Sequence, residues 1–212
     1  MKKRLLIFGV VALVAVVALL GWLRTTTGKR YAYSGPGRDE WQQPQRVLEA
    51  LALKTGDAVA DIGSGGGYFT FRFADAVGRE GRVYAVDVDP DMIRYVAGEA
   101  QKRGLGQIQT IPAAPDSAGL PANSVDLVFL ANTYHHIQNR AEYFRALAPS
   151  LRPRARIAIV EFKAGGWISR FFGHATDAET MRAEMSAAGY DLAESFDFLE
   201  RQHFMIFSLR EK

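Results

Sequence analysis

The sequence contains no cysteine, and this absence excludes disulfides, thiolate nucleophiles and zinc or iron–sulfur centres held by cysteine. The four histidines do not take its place as metal ligands. His135 and His136 are adjacent, His174 and His203 are isolated, and none shows the H-x-x-x-H or H-E-x-x-H spacing that sets two imidazoles on one helical face. We therefore predict no metal site.

The sequence also has little net charge. It carries 26 Lys and Arg against 23 Asp and Glu, and much of the excess lies within the first 30 residues. Because no basic stripe follows, we expect no nucleic-acid partner. Hydrophobic residues make up 48% and charged residues 23%, so the chain can bury a core and is not a disordered protein. The part beyond the N-terminal segment, about 180 residues, fits one domain.

A long hydrophobic run stands at the N-terminus. Residues 5–23 are apolar and uncharged, residues 2–4 before them are basic, and Arg24 ends the run. As a helix the run would span about 28 Å at about 1.5 Å per residue, close to a hydrocarbon core of about 30 Å. We predict one transmembrane helix within residues 1–24. A cleaved signal peptide is the alternative, but Trp22 beside Arg24 favours an interfacial anchor.

The next residues, 25–37, contain Thr, Gly, Ser and Pro without an apolar period, which predicts a linker. The folded domain is then expected at 38–212. Basic residues flank both ends of the hydrophobic run, so the positive-inside rule leaves the side of the membrane open.

Strands and helices alternate through the domain. Strands are predicted at 58–62, 82–87, 108–111, 125–130, 156–162, 192–198 and 203–209. Helices are predicted from Pro44, over 68–77, from Pro90 to near Gly104, around Tyr143 to Leu147, and from the cap Asp177 to Ala188. This alternation predicts an α/β fold with a doubly wound, mostly parallel sheet, and the last two strands are close enough to form an antiparallel hairpin.

The loop after the first predicted strand is rich in glycine. Asp61, Gly63, Gly65 and Gly67 give the pattern D-x-G-x-G-x-G. Glycines let a ligand lie against bare backbone amides, and the helix that follows offers free N–H groups to an anion. A dinucleotide site needs G-x-G-x-x-G, and that pattern fails because Tyr68 or Thr70 stands where the third glycine belongs, according to the register.

A second acid ends the next strand. Asp87 is the last residue of the predicted strand 82–87. It lies 26 residues beyond Asp61, a separation that suits one βαβ unit. An acid at this position can accept bonds from both hydroxyls of a ribose. The loop and Asp87 together predict a site for a nucleoside that carries a small charged group.

These motifs resemble those of the class I S-adenosylmethionine-dependent methyltransferases. Residues 59–70 are similar to the first motif of that family, 83–92 (VYAVDVDPDM) to its second and 120–128 to the approach to its fourth strand. Leu151-Arg152-Pro153 and Gly189-Tyr190 also match the family's pattern, and the resemblance covers roughly residues 38–209. It implies a Rossmann-like, seven-stranded sheet and S-adenosylmethionine as the cofactor.

The resemblance also implies cofactor contacts. Those near the methionine part are Asp61, Gly63, Ser64, Gly65 and Gly67. Asp87 would hold the ribose, and Val88 and Met92 would flank the adenine. Asp116 is the nearest candidate for the adenine amino group, although alanine stands at the usual position. Asn132 follows the fourth strand, at the sheet edge where such folds bind ligands.

Two residues near that edge are candidates for a catalytic base. His135 or His136 could remove a proton from a methyl acceptor, and the alternative is that they only pack or cap the next helix. Arg38, Trp41, Phe171, Phe172 and His174 are candidates to cover the pocket, with amphipathic packing as the alternative.

The sequence leaves the acceptor and the cellular location partly open. The acceptor is expected to be a small molecule or, given the anchor, a lipid-like one. The cofactor is made in the cytosol, so we expect the anchored domain to face it, with a periplasmic or secreted form left open. The other functions that the sequence allows are a non-catalytic, membrane-tethered binding module and an NAD(P)-dependent oxidoreductase.

Overall fold

The computed structural model describes residues 8, 13, 14, 16–19, 21, 22, 25–164 and 175–210. Most of the predicted transmembrane segment, 1–24, lies outside these residues. Within the described part of the chain, no helix has both the length and the apolar character needed to cross a membrane. The anchor and the boundaries of the domain therefore stay predictions.

Between residue 25 and the sheet, the described chain forms three short helices: α1 at Thr26–Ser34, α2 at Arg38–Gln42 and α3 at Pro44–Leu51. Helix α1 lies within residues 25–37, where we predicted a linker and no helix. The Thr25 side chain caps it by accepting a bond from the Gly28 amide at 3.1 Å. Lys29 then donates to Asp89 at 2.6 Å, so a contact 60 residues away supports a segment with weak helical pattern of its own.

The described chain contains one seven-stranded sheet. Its strands are β1 Ala58–Ile62, β2 Arg82–Asp87, β3 Ile108–Pro112, β4 Val125–Ala131, β5 Leu151–Phe162, β6 Tyr190–Phe196 and β7 Gln202–Leu209. They are ordered β3-β2-β1-β4-β5-β7-β6. Strand β7 runs antiparallel to both of its neighbours, and the other pairs are parallel. The predicted mostly parallel sheet with an antiparallel C-terminal hairpin is confirmed.

Helices cover both faces of this sheet. They are α4 Thr70–Val77, α5 Pro90–Arg103, α6 Arg140–Leu147 and α7 Ala178–Ala188, with 3₁₀ turns at Tyr134–His136 and Ala148–Ser150. One face buries Phe144 and Met185 of α6 and α7, and the other buries Leu51 and Phe73 of α3 and α4. The sheet is therefore doubly wound, which explains why its central strands read as continuous apolar runs.

Some element boundaries differ from those predicted. Helix α4 begins at Thr70 rather than at 68, because the glycine loop extends through Gly67 before the chain becomes helical. Strand β5 begins at Leu151 rather than at 156, since Val125 pairs with Leu151 ahead of an irregularity in the register with β4.

The sheet order fixes where ligands can enter. Strand β1 lies between β2 and β4, so the chain leaves β1 toward one side of the sheet and β4 toward the other. The loops after β1 and β4 diverge there and leave a crevice at the carboxyl ends of the strands. The glycine loop and residues 132–136 both follow strands at this edge.

Candidate functional site

The glycine loop can be built only from glycine at its key positions. Gly63, Gly65 and Gly67 have φ angles of 75°, 51° and 80°, in the left-handed region. A Cβ on Gly63 would also overlap the side chain of Thr133, and one on Gly67 would come within 2.5 Å of the Phe71 ring. The loop thus lies directly against the segment that follows β4.

Backbone bonds hold the loop to β2. The Gly63 and Ser64 amides donate to the Val86 carbonyl at 2.8 and 3.1 Å. The Gly65 amide donates to Asp87 Oδ2 at 2.7 Å, and the Asp89 amide donates to Oδ1 at 2.9 Å. Each carboxylate oxygen has two lone pairs, so Asp87 can still accept bonds from a ligand. The structure therefore brings Asp87 and the glycine loop together, as the motifs suggested.

Two buried polar groups lie at the glycine loop, Asp61 in the strand before it and Ser64 within it. Asp61 is 3% exposed and accepts a bond from the Thr70 hydroxyl at 2.6 Å. Burial raises the pKa of Asp61 to about 7, against the opposing effects of the Thr70 hydrogen bond and the Arg38 charge. The Ser64 hydroxyl oxygen is buried with no hydrogen-bond partner in the described part of the chain. A buried, unsatisfied hydroxyl is costly, so the loop is shaped for a polar ligand.

The predicted adenine contacts lie in different environments. Val88 is 62% exposed just beyond the tip of β2, whereas Met92 in the first turn of α5 is fully buried. Asp116 lies in an exposed turn after β3. The backbone amide that donates to the Asp87 carbonyl, at 2.9 Å, belongs to Ala113. The adenine roles of these three residues stay predictions.

The two candidate histidines have very different surroundings. The His135 side chain is 6% exposed, and its Nδ1 lies 2.8 Å from Oε1 of Glu161, which is fully buried. The His135 amide also donates to Glu161 Oε2 at 3.2 Å, and the Phe162 amide donates to Oε1 at 2.8 Å. His136 is exposed, with its ring centroid 4.0 Å from that of His135. The geometry therefore favours His135 as the residue with an oriented imidazole.

Sequence reasoning missed Glu161. It lies near the end of β5, and its register partner on β7 is His203, whose pKa burial lowers. The available signal was a single acid inside the apolar strand 157–162, which requires a partner when that strand is buried.

Asn132 belongs to a chain of hydrogen-bonded polar side chains, which we call the amide relay: Arg38, Gln42, Gln202 and Asn132. The Gln42 Oε1 atom accepts from Arg38 Nε and Nη2 at 3.4 and 3.3 Å. Gln42 Nε2 donates to Gln202 Oε1 at 2.9 Å, and Gln202 Nε2 donates to Asn132 Oδ1 at 2.6 Å. Both glutamines are fully buried. The relay connects helix α2 to the ends of β7 and β4.

Helix α2 contacts both the glycine loop and the end of β5. The Arg38 guanidinium carbon lies 3.8 Å from the centroid of the Tyr68 ring, and the Trp41 ring lies 5.6 Å from the Phe162 ring. These two residues thus contact the glycine loop on one side and β5 on the other. Phe171, Phe172 and His174, the other predicted covering residues, lie outside the described residues.

Comparisons with known proteins find methyltransferases that are similar to this chain. Residues 60–159 match the family described as "Methyltransferase domain". Aklanonic acid methyltransferase DauC of Streptomyces sp. (strain C5) is 32% identical over 123 residues, which are 57% of this chain and 56% of DauC. The ubiquinone/menaquinone biosynthesis C-methyltransferase UbiE of Ectopseudomonas mendocina (strain ymp) is 27% identical over 121 residues, which are 57% of this chain and 47% of UbiE. The chain spans about half the length of the curated relatives it matches.

A solved structure resembles the whole fold. It is a SAM dependent methyltransferase from Aquifex aeolicus, with a TM-score of 0.77 and 24% sequence identity, and the match covers 86% of this chain and 97% of that one. At this identity the likeness establishes the fold. Together with the family match, it shows that residues 60–159 are similar to a methyltransferase domain and lie within a fold that a SAM dependent methyltransferase shares.

Proposed function

We propose that this protein transfers a methyl group from S-adenosylmethionine to an acceptor atom that must lose a proton, with His135 as the base. The observation that carries the proposal is the buried pair of His135 and Glu161, 2.8 Å apart, at the end of β4 and β5. Thr133, two residues before His135, packs against the glycine loop at Gly63. The proposed base and the glycine loop therefore follow neighbouring strands at the same edge of the sheet.

The residues present fit the cofactor. The unsatisfied Ser64 hydroxyl offers a polar contact, and the left-handed glycines leave backbone amides bare. The acid at the tip of β2 suits the ribose hydroxyls of a nucleoside that carries an amino acid. When bound, S-adenosylmethionine supplies a methyl group on a positively charged sulfur. The glycine loop would hold the methionine part, and Asp87 would accept bonds from the ribose hydroxyls.

Glu161 sets the proton on His135. An ionised carboxylate can only accept hydrogen bonds, so Nδ1 of His135 carries the hydrogen and Nε2 carries the lone pair. Nε2 is therefore the atom that takes the acceptor's proton. The imidazolium that results is stabilised by the Glu161 charge, because the pair is buried away from water.

A base of this kind suits a phenolic oxygen or an activated carbon. Both must lose a proton when they are methylated, and base catalysis by a positioned side chain contributes about 10²–10⁴-fold to a rate. The printed names of DauC and UbiE refer to aklanonic acid and to ubiquinone and menaquinone biosynthesis. We extend the proposal to an aromatic or quinone-like acceptor that can be lipid-like.

The apolar run at 5–23 bears on how a lipid-like acceptor would reach the domain. If this run tethers the domain to a membrane, a lipid-like acceptor is concentrated at the same surface. Co-sedimentation of the full chain with phosphatidylcholine vesicles should then require residues 1–24. Equal sedimentation of chains with and without these residues would exclude the tether and leave the methyl transfer unaffected.

The test of function combines binding with turnover. We expect S-adenosylhomocysteine to raise the melting temperature of the full chain, and methyl-labelled S-adenosylmethionine to label phenols or quinols in a panel that also contains amines. Stabilisation by NADH or NADPH alone would identify an oxidoreductase. Binding of S-adenosylhomocysteine without labelling of any compound would favour the non-catalytic module.

A further inference from the structure

We infer that Arg38 binds the carboxylate of the cofactor's methionine part, and that Arg38 and Asp61 together form a clamp for its two opposite charges. This inference rests on the proposed function, because it assigns residues to the cofactor of that reaction. An amino acid end carries an ammonium and a carboxylate on the same carbon. A pair of oppositely charged side chains held close together, one anionic and one cationic, can recognise both charges at once.

Arg38 lies at the end of the glycine loop. Its guanidinium stacks over Tyr68, the residue that follows Gly67, with 3.8 Å between the guanidinium carbon and the ring centroid. The phenol of Tyr68 in turn donates to Asp39, the next residue of α2. Helix α2 is thus attached to the loop at two points, and Arg38 is the cation that this attachment brings to the loop.

Arg38 and Asp61 act on each other electrostatically. Burial lowers the pKa of Arg38 to about 10, and the negative charge of Asp61 opposes that shift. Burial raises the pKa of Asp61, and the positive charge of Arg38 opposes it in turn. Neither group is well solvated, so each gains from an added opposite charge. A bound ammonium would form an ion pair with Asp61, and a bound carboxylate would form one with Arg38.

The amide relay holds Arg38 in position. Two of its nitrogens donate to the same oxygen of buried Gln42, which is fixed by Gln202 and, through it, by Asn132. A long side chain loses much rotamer freedom when it binds a ligand, and this cost is smaller when the protein has already ordered it. The planar guanidinium can meet both oxygens of a carboxylate with two parallel N–H bonds from two nitrogens, a geometry that a single-nitrogen ammonium group lacks.

Arg72 provides a matched comparison within the same region. Its guanidinium also stacks on Tyr68, at 4.2 Å, but it donates to Asp39 at 3.1 and 3.2 Å and is 33% exposed. Arg72 therefore forms a surface ion pair, whereas Arg38 is joined to the amide relay. Replacing either arginine removes one cation from the Tyr68 ring, and only Arg38 is assigned to the ligand.

The experiment compares two nucleosides by calorimetry on the full chain. S-adenosylhomocysteine carries the amino acid end, and 5′-methylthioadenosine lacks it. We expect Arg38→Met to weaken S-adenosylhomocysteine binding about 10–100-fold and to change 5′-methylthioadenosine binding less than about twofold, since the charged hydrogen bonds exist only with the first. Arg38→Lys should recover part of the loss, and Arg72→Met should affect neither nucleoside.

Each other outcome has a distinct meaning. The clamp would be overturned if Arg38→Met weakened the binding of both nucleosides equally, or weakened the binding of neither. If Arg38→Met does not fold, Arg38→Gln decides, because it keeps a polar side chain and loses the charge: an unchanged preference for S-adenosylhomocysteine over 5′-methylthioadenosine would overturn the assignment. A wild-type chain that binds neither nucleoside would instead overturn the proposed function itself.

Discussion

The two sides of the crevice are built in different ways. On the side of β1 and β2, which we call the cofactor side, backbone amides and two acids define the site, and the acid Asp87 lies 22 residues from the amide it binds. On the side of β4 and β5, the acceptor side, side chains pair with side chains of other strands: His135 with Glu161, and Asn132 with Gln202, which lies 70 residues away. In the proposed function, one side would bind the cofactor mainly through backbone amides. The other presents side chains, which can change from one protein to another without altering the fold.

This difference means that the two sides can be disturbed separately. Changes on the cofactor side should act on the affinity for S-adenosylhomocysteine. Changes on the acceptor side should act on the rate of methyl transfer at saturating cofactor. A variant that moves both quantities together would show that the two sides are one mechanical unit.

The largest effect is expected for His135→Ala. Loss of the base should lower kcat about 10²–10⁴-fold and leave the Kd of S-adenosylhomocysteine within about twofold. Glu161→Gln should also lower kcat, because a neutral amide no longer fixes the proton on Nδ1. Stopped assays with the labelled donor measure the rates, and exposed His136→Ala is the control. Wild-type activity in His135→Ala would remove the base from the proposal.

A smaller effect is expected for Asp87→Ala, on the cofactor side. Loss of the ribose bonds should weaken S-adenosylhomocysteine binding by about 1–3 kcal/mol with little change in kcat at saturating cofactor. Asp87→Asn keeps one acceptor oxygen for the Gly65 amide, so it separates the charge from the anchoring of the loop. Calorimetry measures both variants against Asp91→Ala, an acid on α5 that pairs with Lys29 and Arg94. Unchanged affinity in Asp87→Ala would contradict the ribose assignment.

The smallest effect is a dependence of cofactor binding on pH. The free protein holds Asp61 with a pKa of about 7 because it is buried, while Thr70, Arg38 and Asp87 also act on it. Only the ionised carboxylate pairs with the ligand's ammonium, so binding at pH 6 must release a proton. S-adenosylhomocysteine should therefore bind about tenfold more weakly at pH 6 than at pH 8.

Asp61→Asn tests the origin of that dependence. The variant should lose most of the difference between pH 6 and pH 8, and an equal difference in both proteins would assign it to another group. The sign for stability follows from the same shift. The folded state of the wild type holds the Asp61 proton to higher pH than the unfolded chain does, so this residue lowers the free energy of unfolding as pH rises from about 4 to about 7.

The cofactor side was predictable because its determinants are local. The strand before the loop, the three glycines and Asp87 lie within one βαβ unit, and hydrophobic periodicity together with turn chemistry is enough to find them. The same locality explains the prediction of the sheet and of helix α7, whose cap Asp177 and closing Gly189 are adjacent to it in sequence. The roles of the individual cofactor residues still come from the resemblance alone.

The acceptor side was not predictable in the same way. The role proposed for Glu161 depends on its contact with His135. The polar environment of Asn132 comes from Gln202 and from Gln42, which is 160 positions away from Gln202. Helix α1 was missed for the same reason, since Lys29 is paired with Asp89 rather than with a neighbour. Contacts of this range depend on tertiary structure, which a local pattern does not contain.

The amide relay has a direction. Arginine can only donate hydrogen bonds, so Gln42 must turn its oxygen toward Arg38, and each following amide must turn the same way. Asn132 consequently receives a hydrogen on its oxygen and keeps both hydrogens of its Nδ2 group for other partners. Arg38 on helix α2 therefore determines that the Asn132 side chain at the end of β4 offers N–H hydrogens rather than an oxygen lone pair. An Arg38→Glu exchange would require the amides of Gln42, Gln202 and Asn132 all to rotate by half a turn.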